Sequence, residues 1–373
     1  MKVTPIFCLV FAASVAGAFA QAPLYSVLDL GTLGGVSSYA TGVNDLGQVT
    51  GTSLTSTGAS HAFLYSNGIM QDLGTLNNGQ GVASNGYSVN NAGQVVGWGY
   101  IGQAGSSAFA FLYTNGNMQV LPGLPPSAAY AINSSGQITG QTNFGITQGF
   151  LYYGGSSHSL GDLGNINPIS SGYALNNLGQ VTGYALTATN QIHAFLSFNG
   201  TMTDLGTVGG TYDRSTGFGI NNLGQVTGTS SSSSGAPQHA FLYDGTMHDL
   251  GTLDGATTSL GIGINDAGFI VGNALMTTGL DHGFLYLDGH MFDLNDLLSP
   301  SADVTDIALN FQGDPINELG QIAAYGTVDG QRHALLLTLL SVPEPSTFAL
   351  LVVAVATGFG LKRHIVSTPF RRR

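Results

Sequence analysis

Cysteine is almost missing from this chain: Cys8 is the only one in 373 residues, and it lies in an N-terminal segment that reads as removable. A body without thiols has no disulfide, no thiolate nucleophile and no cysteine metal site. Basic residues are nearly as scarce, with 8 Lys and Arg against 20 Asp and Glu. Lys stands only at positions 2 and 362 and Glu only at 318 and 344, so the usual charged helix formers are lacking. Charged residues make up 8% of the chain and hydrophobic ones 43%, the reverse of a disordered composition. Gly numbers 56 but does not fall at every third position, which excludes collagen. Gly, Ser, Thr, Asn, aliphatics and aromatics remain, the composition of an all-β protein with many turns.

The scarce positive charge sits at the ends. Residues 21–342 keep only Arg214 and Arg332 against 19 acids, a net charge of −17. Such a body repels nucleic acid and anionic membrane surfaces, so neither is expected as a partner. Calcium is compatible with the charge, but no ligand set is legible and no cofactor is expected.

Both ends read as addresses. Lys2, the apolar run from Ile6 to Ala16 and the A-x-A site Ala18-Phe19-Ala20 describe a signal peptide over 1–20, cleaved before Gln21. At the other end, Pro343-Glu344-Pro345 breaks any strand, and 347–361 is uncharged. Lys362 and Arg363 open a basic tail over 362–373. A 15-residue helix reaches about 22 Å, short for a bilayer core of about 30 Å, though flanking basic residues can snorkel. A plain membrane anchor fits these residues too. The segment 342–373 resembles the PEP-CTERM sorting signal. That resemblance implies recognition of Pro343, Glu344 and Pro345 by an exosortase in the inner membrane, after export by the secretion machinery. It also implies release towards the cell surface and association with extracellular polysaccharide or biofilm.

Between the ends one unit recurs seven times. Its first phrase, Asp-Leu-Gly, stands at Asp29, Asp72, Asp162, Asp204 and Asp249, with degenerate copies at Val120 and Asp293. The second, Asn-x-x-Gly-Gln, begins at Asn44, Asn90, Asn133, Asn176, Asn221, Asn265 and Asn317, with Phe269 in place of Gln in the sixth. The third, His-Ala-Phe-Leu-Tyr, is centred on Phe63, Phe111, Phe150, Phe195, Phe241, Phe284 and Leu335. Each unit predicts four short strands, with Asn-x-x-Gly turning the first pair and Asn-Gly or Asp-Gly the last. A period in the forties with four strands suits a propeller blade. The chain opens on a lone fourth strand, Tyr25–Leu30, and ends on a third strand, His333–Leu340. Joining them completes a seventh blade and leaves no unpaired edge. The expectation is a seven-bladed β-propeller over 21–341. The third phrase and its glycine context resemble the HAF repeats of extracellular bacterial proteins, a family that implies no chemistry.

One polar pair recurs with the blades. His61 goes with Asp72, His193 with Asp204, His239 with Asp249 and His282 with Asp293; ring closure would give His333 with Asp29. Phe109 and Val120 replace both members together, and Gln148 is matched to Asp162. Replacing both partners of a buried hydrogen bond by apolar groups can be nearly neutral, so the pairs read as structural, buried bonds and not as metal ligands. The seven Asn read as turn formers. No zincin, nucleophile-elbow, P-loop or EF-hand pattern is present. The non-recurring acids Asp213, Asp254, Asp281, Asp303, Asp306, Asp314, Glu318 and Asp329 include no pair that sequence singles out. The repeat-breaking Trp98, Tyr100, Phe144, Tyr212 and Arg214 point to a sugar-stacking face, with Trp98 packing between blades as the plainer alternative. The expected function is an exported, non-catalytic binding or matrix propeller. A polysaccharide hydrolase or lyase and a purely structural surface component are its rivals.

Overall fold

A computed structural model describes residues 22–76, 81–102, 107–142, 147–209, 214–231, 237–300 and 302–341. The signal segment with Ala18 and Ala20, the sorting segment with Pro343, Glu344, Pro345, Lys362 and Arg363, and Phe144, Tyr212 and Asp213 lie outside them. Among the described residues no helix is long and apolar enough to cross a membrane.

The described strands form seven sheets of four, the blades of a propeller. Blade one runs Gly34–Val43, Val49–Thr55, Ser60–Ser66 and Ile69–Asp72. Blades two to six begin at Ser84–Val89, Ser127–Ile132, Ser170–Leu175, Ser215–Ile220 and Ala256–Ile264. Blade seven joins both ends of the body. Leu24–Asp29 pairs beside Gln331–Ser341, which lies beside Ile322–Val328 and then Thr305–Ala308. The ends therefore close the ring as their strand count predicts.

Local chemistry explains each turn and bend. Asn67 and Gly68 take φ of 52° and 82°, the left-handed pair that a tight hairpin between twisted strands requires. The inner strand carries a bulge at the same place in blades one to six, around Thr41, Tyr87, Tyr130, Tyr173, Phe218 and Ile262. Gly51 lies opposite Phe63, and a Cβ there would sit 2.0 Å from the Tyr39 carbonyl and 2.9 Å from the Phe63 ring. Blade seven pairs Ala324 with Leu335, so the smaller side chain admits the larger backbone residue.

No blade buries its own core. Phe111 and Tyr113 of blade two pack with Ala62, Leu64 and Leu73 of blade one, and the other seams follow suit. Phe63, Phe111, Phe195, Phe241 and Phe284 are fully buried. Each contributes about 1.5–3 kcal/mol of burial energy, which only a neighbouring blade makes available. A serine stitches the seams. Ser84 accepts from the Ala62 N–H at 2.9 Å and donates to the Gly74 carbonyl at 2.5 Å. Ser38 does the same across the closure, with the Ala334 N–H at 2.8 Å and the Gly31 carbonyl at 2.6 Å.

Blade seven also carries an insertion. Successive Asn of the second phrase are 43 to 46 residues apart until Asn265, then 52. The extra residues reach over to blades one and two. Gly313, with φ of 108°, passes so close to blades one and two that a Cβ would meet the Tyr87 and Thr41 carbonyls at 2.4 and 2.5 Å. The next residue, Asp314, accepts the Val43 N–H on its backbone carbonyl at 3.0 Å and the Ser88 hydroxyl on its carboxylate at 2.6 Å.

Candidate functional site

The recurring His and Asp do meet. The imidazole Nδ1 lies 2.9 Å from the carboxylate in His61–Asp72, 2.8 Å in His193–Asp204 and 3.0 Å in His239–Asp249. It lies 2.6 Å away in His282–Asp293 and 2.9 Å in His333–Asp29. The pairs are not buried, contrary to the sequence expectation. Carboxylates at the end of the outermost strand keep 18–41% of their surface, because no further strand covers that edge. Burial of Asp204 works against its charge, but the His193 and Gly206 hydrogen bonds prevail and hold its carboxyl below the usual range. Each Asp also accepts a backbone N–H two residues on, such as that of Gly74 at 2.7 Å. The carboxylate thus turns the chain towards the next blade. Phe109 and Val120 instead pack into the seam between blades one and two.

The match of Gln148 with Asp162 is corrected by strand register. Phe63 faces Asp72 and Phe195 faces Asp204, whereas Phe150 faces Ser159. The equivalent phrase in blade three is therefore Ser159-Leu160-Gly161. Leu160 is 2% exposed, buried as Leu30, Leu73, Leu121, Leu205 and Leu294 are, and the Gly161 N–H donates to the Ser159 hydroxyl at 3.1 Å. Asp162 caps Gly164 in the following loop at 2.7 Å.

The seven Asn form their turns and do more. The Asn44 side-chain amide donates to the Asn90 carbonyl at 2.8 Å, and the pattern continues through Asn133, Asn176, Asn221 and Asn265 to Asn317. Asn317 closes the circle on the Asn44 carbonyl at 2.8 Å. This ring rims a cavity of about 140 Å³ at one mouth of the axis. The next residue in each turn makes a second, outer ring. Asp45, Asp266 and Glu318 meet there: the Asp266 N–H donates to Glu318 at 2.9 Å and the Glu318 N–H to Asp45 at 3.0 Å. Burial, with Asp266 and Asp45 nearby, raises the Glu318 pKa. Asp314 lines the same cavity, and burial pushes its carboxyl up to about 6 against the opposing Ser88 hydrogen bond. Among the described residues no three His, Asp or Glu gather closely enough to hold a metal ion.

Three residues before the Asn ring, the bulged positions carry aromatics in four consecutive blades. Tyr87 and Tyr130 lie 5.6 Å apart, Tyr130 and Tyr173 5.3 Å, and Tyr173 and Phe218 5.2 Å at an interplanar angle of 12°. Trp98 extends this arc. Its indole N–H donates to the Tyr87 hydroxyl at 2.8 Å, and its ring meets Tyr100 edge-on at 5.3 Å, both within blade two. Tyr184 joins Tyr173 at 5.8 Å in blade four. Burial raises the pKa of Tyr87 and Tyr130, and that of Tyr173 to about 12, so these hydroxyls stay protonated as donors. Bulges re-aim side chains, which explains why one position in the strand supplies the whole arc. Sequence reasoning singled out Trp98 and Tyr100 as breaks in the repeat but missed the recurring aromatic-x-x-Asn.

No family model and no curated protein matches the chain. Solved structures match its fold. A prolyl endopeptidase is 11% identical over 86% of this chain and 51% of its own, with a TM-score of 0.50. The chain thus spans about half the length of that enzyme. The β-propeller domain of the trilobed protease from Pyrococcus furiosus is 9% identical over 84% of this chain and 98% of its own, with a TM-score of 0.49. At such identities the likeness is one of architecture, and the chain is a seven-bladed β-propeller.

Proposed function

We propose that this protein is an exported, surface-directed binding propeller that holds a neutral extracellular polysaccharide against its aromatic arc without turning it over. The carrying observation is the unbroken run of rings from Trp98 through Tyr87, Tyr130 and Tyr173 to Phe218. Flat rings, three of them bearing hydroxyls, suit the apolar faces and polar edges of sugars. Export through a signal cut at Ala18-Phe19-Ala20, then sorting through Pro343-Glu344-Pro345 and the Lys362–Arg363 tail, belongs to the same reading. A surface-fraction protein that begins near Gln21 supports it, and an intact Met1 in the cytoplasm overturns it.

A glycan array joined to a turnover assay tests the binding. Glycan retention without product is expected, and Trp98→Ala should weaken it about tenfold while moving the melting temperature little. A hydrolytic reading has one observation behind it, the three carboxylates Asp45, Asp266 and Glu318 beside the asparagine ring. Each is engaged with a neighbouring turn's backbone or side-chain amide, which ties them to ring closure. Product formation lost in Glu318→Gln would establish that reading instead. A purely structural component retains no soluble glycan.

A further inference from the structure

The seams between blades share one filler. On the third strand, Tyr65, Tyr113, Tyr152, Tyr243 and Tyr286 stand opposite Val49, Val95, Ile138, Val226 and Ile270. Leu337 stands opposite Ile322 in blade seven. Each packs into the seam with the preceding blade. Blade four departs from this: Ser197 stands opposite Val181. Its hydroxyl donates to the Leu160 carbonyl at 2.6 Å, and no ring fills the space that a tyrosine occupies elsewhere.

A cleft of about 520 Å³ results between blades three and four. The fourth strand has responded to the missing ring. In blade one, Gln71 donates to the Tyr113 hydroxyl across the seam at 2.9 Å. His158 holds the same register, opposite Leu151 as Gln71 is opposite Leu64. With no tyrosine to meet, its imidazole lies flat on Tyr153, centroids 4.0 Å apart and planes 17° apart. Tyr153 is 43% exposed, and Phe198 on the facing wall is 46% exposed. Ser159 and Asn199 put a hydroxyl and an amide on the lining, and none of the lining residues is Asp, Glu, Lys or Arg.

We propose that this cleft is a second binding site, one that takes a single neutral pyranose ring. The stacked Tyr153–His158 pair offers a plane for the C–H face of the sugar, and the uncharged polar groups meet its hydroxyls. The cavity falls within the roughly 300–1,000 Å³ of ordinary small-ligand sites. The assignment rests on the same reading of the protein as a glycan binder, but on none of the arc's own residues, so the two can fail separately.

The test titrates methyl glycosides of glucose, galactose and N-acetylglucosamine into the purified protein, followed by saturation-transfer NMR. At least one should bind. Ser197→Tyr, which restores the side chain of five sister blades, should abolish that binding while leaving the melting temperature unchanged or raised. Tyr153→Ala removes an exposed ring and should weaken binding about tenfold with the fold intact. Glycoside binding lost in Trp98→Ala but kept in Ser197→Tyr and Tyr153→Ala overturns the cleft and spares the arc. Failure of every glycoside, or cleft binding of p-cresol in their place, overturns the sugar assignment.

Discussion

Three residues of inner strand separate two very different layers of this molecule. At the asparagine layer seven blades carry one residue type; at the bulge layer blades one to six carry Thr41, Tyr87, Tyr130, Tyr173, Phe218 and Ile262. Six of the seven asparagines have no side-chain bonding capacity left; Asn265, with Phe269 in place of the Gln, keeps some. Asn221 donates to the Asn265 carbonyl and to Gln225 and accepts from the backbones of Leu223 and Gln225. A group satisfied at every lone pair and proton has nothing to offer a ligand. The bulge layer instead presents rings, three of them with hydroxyls, and differs from blade to blade. Recurrence here marks what closes the disc, and on the proposed reading departure from recurrence marks what the disc holds.

The largest effect should come from breaking the uniform layer. Asn221→Leu matches the volume but strands two backbone N–H groups, the Gln225 amide and the Asn265 carbonyl in a site only 2% exposed. Losing several buried partners at once should destabilise by about 3–5 kcal/mol. Calorimetry should show a melting temperature lower by roughly 5–10 °C, with glycan affinity of the surviving fold unchanged. Weaker glycan binding at full occupancy of the folded state would mean that the two layers are not separable.

The difference between the layers also governs how much was legible beforehand. Blade number, strand order and closure follow from spacing and from the unmatched strands at each end. The asparagine circle does not, because six of its bonds run to a carbonyl 43 to 52 residues on and the seventh to one 273 residues back, and spacing says nothing about where an amide points. The seam serines were readable: Ser38, Ser84, Ser127, Ser170, Ser215 and Ser259 each stand six residues before an Asn of the ring. They were hidden by serine's abundance in the loops. The doubled phrase at Ser159–Gly164 misplaces a repeat boundary, since only the buried Leu160 tells which copy lies on the strand. The cleft at Ser197 is a single substitution in the third phrase. It becomes a cavity only when blade three is known to face it.

An intermediate effect is expected at Asp314, which lies under the asparagine layer and belongs to neither set. Its ordinary value is 3.8, and burial raises it to about 6 in the fold. Between those values the folded chain binds more protons than the unfolded one, so stability falls as pH rises through that window and then levels. Asp314→Asn keeps an acceptor for Ser88 and should remove this fall. It should raise stability at pH 7.5 by on the order of 1–2 kcal/mol, less than the full shift implies because the mouth of the axis admits water. Denaturation at pH 4.5 and 7.5 checks the sign: a stability that rises with pH in the parent and not in the variant would contradict it.

The smallest effect is expected where recurrence is imperfect, and it tests the comparison most sharply. His239 and Asp249 are bonded in blade five, while blade two has Phe109 and Val120 in the same places. His239→Phe leaves Asp249 with the Gly251 N–H, and Asp249→Val leaves the imidazole unmatched and that N–H uncapped. Each should destabilise by about 1 kcal/mol, modest because both groups are more than a third exposed. The double variant copies blade two and should return close to the parent, a coupling of about 2 kcal/mol in a double-mutant cycle. Additive losses would mean that blade two tolerates its apolar pair only because of neighbours such as Ile101 and Met118, which pack beside it. Coupling without any change in glycan retention would place the histidines with the asparagines, among the residues that recur because every blade must be held the same way.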